Sequence, residues 1–507
     1  MFINITKIKL NMRKNLLFNL SILILILYLV IRILDYSQVV YYHPLSNQKH
    51  DIYSYIPQLF FLGECGFYKE CGYWYNGFVT FISTPPGWYL TFYPVYLITN
   101  SVLLTLYLSV IIIFVIGFLL INHFGKLIFE SKIKRLFFFA FLFGNNIAIN
   151  SLRLGRIHEL MAFISLVIGS FIIFNFKDNK INKKFYYVIP FYTMALLTYH
   201  SVGILFSTFF LGLLLIKGGK EFFKVLITVI ISFILAAFWW LPLLLNLGKT
   251  SIVDNWYGVE GWWMFKNYLH FTPIAVILIP IALFSLFYLY LKIKEFDKKE
   301  FLFFIPSIFI IFLFFIGVMP FIPVMKHIFT NLYLLFSVFL ILCLFLNLNR
   351  NILDKRIGNL IYYIMISASV LTIVISIINT PFFDKPTKDQ NDIKDLLNYV
   401  DDKFLVVGSL SHINSHRAAF YSYAPIFRNL STPDGHYPVL ASSEYVDGLN
   451  KIQDLFRKSE CDEFKSLVNN YNTKFLLTSG EDNCKTLQSC DLKNIKNNGQ
   501  ACLYTIN

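Results

Sequence analysis

The chain has 507 residues, of which 56% are hydrophobic, 18% aromatic and only 15% charged, and its formal net charge is +14. Soluble globular chains average about 25% charged residues, so this composition excludes a protein that covers its surface with polar groups. The mean hydropathy of +0.59 predicts instead that most of the surface faces lipid.

Apolar stretches of about 20 residues, long enough to cross a bilayer as helices, recur along most of the chain. The first, Leu16–Leu34, follows a basic tail and lacks a small-residue cleavage site after it, so we expect an uncleaved anchor. The later predicted spans are Asn100–Ile121, Leu136–Ile149, Ile157–Phe176, Tyr186–Thr198, Val202–Ile216, Val225–Leu245, Pro273–Leu291, Phe301–Val318, Ile328–Leu346 and Ile357–Ile378. The pattern predicts an α-helical polytopic membrane protein with about eleven transmembrane helices.

The connecting segments alternate in charge. One set holds about 22 Lys and Arg residues and the other about 7. Because positively charged loops stay in the cytoplasm, the N-terminus is predicted to be cytoplasmic and the part after Ile378 to lie outside the cell membrane. Residues 379–507 carry 14 basic and 16 acidic residues, so the positive charge belongs to the membrane part. The charge therefore indicates topology and not a nucleic-acid partner.

Two domains are predicted. Residues 1–378 form the transmembrane domain, with a long first external loop at 35–88, and residues 379–507 form a small extracytoplasmic α/β domain. The predicted strands of this second domain are Phe404–Leu410, Phe475–Thr478 and Cys502–Ile506, and its predicted helices are Ile393–Val400, Tyr445–Phe456 and Glu463–Tyr471.

Six of the seven cysteines fall in the external regions that this topology predicts. They are Cys65 and Cys71 in the first external loop, and Cys461, Cys484, Cys490 and Cys502 in the tail. Even numbers in each region predict disulfides formed in an oxidising compartment, with free thiols as the alternative. Three pairings of the four tail cysteines are open.

The first external loop is longer than most connecting loops and rich in aromatic residues, which favours a functional role. Trp74, Tyr75 and Trp88 suit either the interfacial aromatic belt or contacts with sugar rings. A carboxylate beside aromatic rings at a membrane surface is a candidate general base, and Asp51 is the first choice, with Asp35 as runner-up. The alternative for both is a solvated loop carboxylate.

A second candidate site lies between the third and fourth predicted spans, where two arginines run against the positive-inside trend. Arg153 and Arg156 predict a phosphate clamp, because the guanidinium fork matches phosphate and the next helix start adds N–H donors. A lipid-headgroup anchor and pairing of an arginine with Glu159 are the alternatives. The other candidates for binding a lipid phosphate or the donor that carries it are His158, Glu159, His200, Lys326 and His327, and Trp256 is a further aromatic candidate for substrate contact.

These features resemble the GT-C superfamily of membrane glycosyltransferases. The segments Trp74-Tyr75-Asn76-Gly77-Phe78, Pro85-Pro86-Gly87-Trp88, Gly155-Arg156-x-x-Glu159 and the Gly435–Pro438 turn are similar to an archaeal and bacterial group labelled as a pyruvoyl-tetrahydropterin-synthase-related membrane domain. The resemblance covers most of the chain by architecture. It does not imply pterin chemistry.

The resemblance implies sugar transfer from a polyprenyl-phosphate donor to a lipid, glycan or protein acceptor, beside the bilayer as a partner. Asp51 would be the base, and Arg153 and Arg156 would hold the lipid phosphate. The first loop lacks the paired acids of several superfamily members, so no cofactor is assigned, and a divalent metal stays an alternative that no paired acidic motif supports. Lys326-His327 stands where related chains carry Arg. The alternative is a non-catalytic membrane protein, either an assembly component or a transporter.

Overall fold

The computed structural model describes residues 2–41, 52–246, 273–322, 325, 328–348, 386–408, 415–435 and 440–506. Six of the described helices are long and apolar enough to cross a membrane, and a seventh span results if a pair bent by 49° is one span. The six are Asn19–Tyr41, Val102–Leu127, Ile157–Asp178, Gly219–Leu245, Val276–Ile293 and Thr330–Asn347, and the bent pair is Lys132–Phe143 with Asn146–Arg153. The prediction of a multi-pass helical membrane protein is confirmed, with six or seven spans among the described residues.

The helices up to residue 347 are numbered in chain order. They are α1 (Phe2–Asp35), α2 (Gln38–Tyr41), α3 (Ile52–Glu64), α4 (Gly87–Thr99), α5 (Val102–Phe124), α6 (Lys132–Phe143), α7 (Asn146–Arg153), α8 (Ile157–Asp178), α9 (Val188–Thr198), α10 (His200–Ile216), α11 (Gly219–Leu245), α12 (Pro273–Ile293), α13 (Lys298–Phe315) and α14 (Thr330–Asn347). The predicted spans Tyr186–Thr198 and Val202–Ile216 correspond to the shorter α9 and α10. The predicted span Ile357–Ile378 lies outside the described residues, so the count of about eleven stays a prediction.

The chain divides into two compact units. Unit 1 comprises the described residues within Met1–Asp35, Val110–Ala237 and Asn255–Thr380, and unit 2 those within Tyr36–Ser109, Phe238–Asp254 and Pro381–Asn507. The predicted domain boundary at 378/379 stays a prediction. The two units are divided differently, since unit 2 groups the described residues of 36–109, which include those of the first external loop, and the end of α11 from Phe238 with the C-terminal residues.

The core of unit 1 is built around two helices that are buried on nearly all sides. The apolar window of α8 is 94% buried and that of α14 is 83% buried, against 28% for α11. Glycines let neighbouring helices approach these cores, as small residues do in membrane bundles. A Cβ built on Gly169 of α8 would lie 2.1 Å from the Phe206 ring of α10, so no larger residue fits there without a shift.

Unit 1 also contains a buried ion pair between helices. Lys177 of α8 pairs with Glu300 of α13, and the two residues are 8% and 6% exposed. The Tyr290 hydroxyl of α12 donates to the second carboxylate oxygen of Glu300 at 3.2 Å. One carboxylate therefore joins three helices.

Residues 52–88 of the first external loop are folded in unit 2. After α3, the chain forms a hairpin of strands β1 (Glu70–Cys71) and β2 (Phe78–Val79) and then enters α4. The ring of Phe61 in α3 contacts Trp74 edge-on at a centroid distance of 5.0 Å and Phe78 at 5.6 Å. The aromatic residues that predicted an interfacial belt therefore also hold the loop together.

The C-terminal part of unit 2 is a four-stranded mixed sheet with helices. The strands are β3 (Phe404–Val406), β4 (Phe475–Ser479), β5 (Lys493–Asn498) and β6 (Ala501–Thr505), in the order β3-β4-β6-β5, and the helices are α15 (Lys388–Leu396), α16 (Ser415–Arg428), α17 (Ser443–Lys458), α18 (Cys461–Asn470) and α19 (Glu481–Ser489). β3 and β4 are parallel, and β6 is antiparallel to both of its neighbours. β4 is buried throughout, whereas the edge strand β5 is exposed and carries Lys and Asn, which protect an edge from further pairing.

Three disulfides lie in unit 2, which confirms the prediction of disulfides and selects one of the three open pairings. Cys65 pairs with Cys71 in the first loop, with Cα atoms 5.5 Å apart. Cys461 pairs with Cys490 and Cys484 with Cys502, at Cα separations of 5.1 and 6.1 Å. All three separations suit a disulfide. Among the described cysteines only Cys343, buried in α14, is free.

Candidate functional site

The predicted phosphate site forms a sharp corner between α7 and α8 in unit 1. α7 ends at Arg153, and Gly155 follows with φ of +74°, a left-handed conformation that glycine adopts without strain. The N–H of Arg156 donates to the Ser151 carbonyl at 2.9 Å, and α8 begins at Ile157. This turn places Glu159 in the first turn of α8, where the helix dipole favours a negative charge.

Arg156 is held inside this corner by protein groups. It is 8% exposed, its guanidinium carbon lies 3.7 Å from the centroid of the Phe329 ring, and one guanidinium nitrogen lies 4.0 Å from a carboxylate oxygen of Glu159. This geometry matches the alternative in which an arginine pairs with Glu159. Arg153 is less buried than Arg156, so of the two arginines it is the better placed to meet a phosphate from outside the corner.

A polar chain continues from Glu159 to α14. The Ser151 hydroxyl donates to Glu159 at 2.9 Å, and the Asn331 amide donates to the Ser151 hydroxyl at 2.8 Å and to the Ile147 carbonyl at 3.0 Å. Glu159 is 0% and Asn331 5% exposed. We call Ser151, Arg156, Glu159, Phe329 and Asn331 the α7–α8 corner network.

Three members of this network were not among the predicted site residues. Ser151 lies in α7, five residues before Arg156, whereas Phe329 caps α14 and Asn331 lies in its first turn, more than 170 positions after Arg156. A signal for Asn331 was present, because polar residues within apolar spans are often functional or pair with each other. Ser151 and Phe329 gave no such signal, since both residue types are common in membrane helices.

The remaining predicted residues of unit 1 are placed separately. His158 follows Arg156 into α8 and is buried, at 3% exposure. His200 begins α10, where its ring stacks on Tyr199 at a centroid distance of 5.9 Å. Asp35, the runner-up base, ends α1 and accepts a hydrogen bond from Arg32 at 3.0 Å, so its charge is paired. Asp51, Trp256, Lys326 and His327 lie outside the described residues.

The predicted aromatic contacts Trp74, Tyr75 and Trp88 are buried in unit 2. They are 0%, 4% and 0% exposed. The Trp74 N–H donates to the Tyr421 carbonyl at 2.8 Å, and the Trp88 N–H donates to the Ser109 hydroxyl at 3.3 Å. These rings therefore belong to the protein core in this conformation, and their role as substrate contacts stays a prediction.

A second cluster, which the sequence did not single out, surrounds Asp434 in unit 2. Its carboxylate accepts a hydrogen bond from the Gly435 N–H at 2.7 Å. Burial raises the pKa of the Asp434 carboxyl, while the nearby Arg417 guanidinium, the Gly435 N–H and the Tyr421 hydroxyl act in the opposite direction. The net direction is upward, so folding favours the protonated form.

Asp434→Asn should therefore stabilise unit 2 at neutral pH. An acid with a raised pKa in the folded state stabilises the fold below its unfolded pKa, and this contribution is lost as the pH rises through the folded pKa. The difference in melting temperature between Asp434→Asn and wild type should be small near pH 4 and grow in favour of the variant up to pH 7. Thermal melts across this pH range measure it. A difference that shrinks with rising pH would contradict the assignment.

No protein-family model matches the chain, and no curated protein matches it. Among the residues that the structure describes, no group of three or more His, Cys, Asp or Glu side chains is arranged to hold a metal ion. The candidate sites are therefore supported only by the geometry of their own residues.

Proposed function

We propose that the chain crosses the membrane about eleven times, with the N-terminus in the cytoplasm and the small α/β fold of unit 2 outside the cell membrane. The charge asymmetry of the loops supports this orientation. The disulfides support it independently, because all three lie in unit 2 and disulfides persist in oxidising compartments.

We propose further that the protein is a GT-C-type membrane glycosyltransferase. It moves a sugar from a polyprenyl-phosphate donor to a hydroxyl-bearing acceptor at the extracytoplasmic face. The α7–α8 corner network carries this proposal. Ionisable groups such as Arg156 and Glu159 are costly to bury in a membrane protein and are retained chiefly for function.

Three of the predicted residues have distinct roles in this reaction. Asp51 removes the proton of the acceptor hydroxyl, whose oxygen attacks the anomeric carbon of the sugar. The bond from that carbon to the phosphate oxygen breaks, and polyprenyl phosphate leaves with the electron pair. Arg153 contacts the lipid phosphate, and Arg156, fixed by Phe329 and Glu159, sets the position of the corner that carries it.

A non-catalytic assembly role is the second candidate, and one observation favours it. Trp74 and Trp88 pack and form hydrogen bonds within unit 2. This is expected of an external unit with a purely structural role. Transport is less favoured, because the buried ionisable groups of the corner network gather at the N-terminal end of α8 and not at the middle of a span.

Asp51→Asn should lower sugar transfer by about 10²–10⁴-fold, the usual contribution of a general base. Transfer of labelled sugar from a polyprenyl-phosphate donor to membrane acceptors measures this effect. Asp35→Asn is the matched control and should leave transfer unchanged, because the Asp35 carboxylate is occupied by Arg32. If Asp51→Asn folds normally and still transfers sugar, Asp51 is not the general base. Surface glycans that are unaltered in a deletion strain would favour assembly.

A further inference from the structure

The turn of the β1–β2 hairpin is bound by residues more than 300 positions later in the chain. The Trp74 N–H donates to the Tyr421 carbonyl at 2.8 Å. The Asn76 amide donates to the Tyr471 carbonyl at 2.9 Å, and the Lys403 ammonium donates to the Asn76 amide oxygen at 3.0 Å. A single side chain, Asn76, is therefore held from two sides.

Two neighbours of Asn76 in the turn, Tyr73 and Tyr75, strengthen this contact. The Thr432 N–H donates to the Tyr73 carbonyl at 2.9 Å, and the Tyr73 hydroxyl donates to Asn429 at 2.6 Å. Tyr75 packs on Gly435 so closely that a Cβ there would lie 2.7 Å from the ring. The hairpin turn is thus docked on the C-terminal part of unit 2 by hydrogen bonds and by close packing.

The docked turn is connected to α3 through its aromatic residues. Phe61 of α3 contacts Trp74 at 5.0 Å and stacks on Tyr73 at 5.6 Å, with an interplanar angle of 13°. α3 also packs against α16, the helix that supplies the Tyr421 carbonyl. α3 begins at Ile52, the residue after Asp51.

We propose that Asn76 is a positioning residue, through which the C-terminal part of unit 2 sets the placement of α3 and so the rate of the reaction at the first loop. The functional half of this proposal rests on the proposed function. The C-terminal part then acts as a support for the loop and not as a separable cover. Loosening of the Asn76 contacts lowers the rate while leaving donor binding nearly unchanged.

Asn76 is the best site for a test because its contacts can be removed without distorting the backbone. Its φ of +57° lies in the left-handed region, which glycine adopts without strain. Asn76→Gly removes both side-chain hydrogen bonds, and Lys403→Met removes one of them from the C-terminal side. Lys474→Met is the matched control, because Lys474 adjoins the same sheet, is 52% exposed and pairs with Asp402.

Hydrogen exchange of the whole chain in detergent tests the docking without any assay of activity. In Asn76→Gly and Lys403→Met, exchange across residues 70–79 should rise about 10-fold or more, while exchange in β4 and β6 stays as in wild type. Lys474→Met should change neither segment. Unchanged exchange at 70–79, or an equal rise in β4 and β6, would overturn the proposal, because the turn would then not be held locally by these contacts.

Kinetics test the positioning role. Asn76→Gly and Lys403→Met should lower kcat for sugar transfer about 10-fold with a change in donor KM below about 2-fold, and Lys403→Arg should restore most of the rate. A wild-type chain that transfers no sugar defeats the proposed function, while hydrogen exchange still decides the docking. If the wild-type chain is active and the variants keep its kcat, only the positioning role of Asn76 is contradicted.

Discussion

Glu300→Gln should lower the free energy of unfolding by about 3–5 kcal/mol, the typical cost of breaking a buried ion pair from one side. Lys177 would keep its charge at 8% exposure with the loss of its buried carboxylate partner, and only the exposed Asp178 carboxylate, 3.5 Å away, would remain beside it. The Tyr290 hydroxyl would still find an acceptor in the amide oxygen, so the effect reports mainly the loss of the buried partner of the Lys177 ammonium. Removal of the charge from the other side, in Lys177→Met, should have a comparable effect.

Thermal melts of the detergent-solubilised chain measure this effect. The double variant Lys177→Met/Glu300→Leu should lie closer to wild type than either single variant, because no buried charge is then left alone. Glu481→Gln, in the exposed pair with Lys485, is the matched control and should leave the melting temperature unchanged. Additive losses in the double variant would show that Lys177 and Glu300 do not act as a pair.

The same ion pair shows what hydropathy and charge counts detect. They located the long apolar helices of unit 1, because lipid contact requires continuous apolar sequence. The predicted span Ile157–Phe176 ends one residue before Lys177, whereas the structure places Lys177 within α8, buried and paired with Glu300 of α13. Its partner Glu300 lies 123 positions away in sequence, and charge counting does not detect pairs at that distance.

The sheet of unit 2 was predictable where its strands are apolar. β3, β4 and β6 lie within or next to the predicted strands, because buried strands need apolar side chains. β5, with the sequence Lys-Asn-Ile-Lys-Asn-Asn, was missed because an exposed edge strand has no hydrophobic pattern. α3 was missed for a different reason, since its apolar face packs against α16, a partner more than 350 positions away.

The candidate site was predictable by residue type but not by arrangement. Arg153 and Arg156 predicted a phosphate clamp, with pairing of an arginine with Glu159 as an alternative, and the structure places Arg156 and Glu159 together. The sequence did not indicate that Phe329 and Asn331 close the site from α14, because helix packing decides which spans meet. The aromatic run around Trp74 suggested an exposed surface. In the structure it is core, because the C-terminal residues cover it.

Loss of the Cys461–Cys490 disulfide should destabilise unit 2 more than loss of either other disulfide. A cross-link stabilises the fold largely by restricting the unfolded chain, and this contribution grows with the length of the closed loop. The sequence separations are 29 for Cys461–Cys490, 18 for Cys484–Cys502 and 6 for Cys65–Cys71. The expected losses are about 3.6, about 3.2 and about 2.2 kcal/mol, in that order.

Paired Cys→Ala variants test this order, with melting temperatures measured for each oxidised chain. The reduced wild type is the control, and it should melt below each variant that lacks one disulfide, because it lacks all three. Loss of Cys65–Cys71 should have the smallest effect, since its loop is short and the hairpin is also docked through Trp74 and Asn76. A larger effect for Cys65–Cys71 than for Cys461–Cys490 would contradict the loop-length explanation. It would show instead that the first loop depends on its own cross-link more than on the C-terminal residues that bind it.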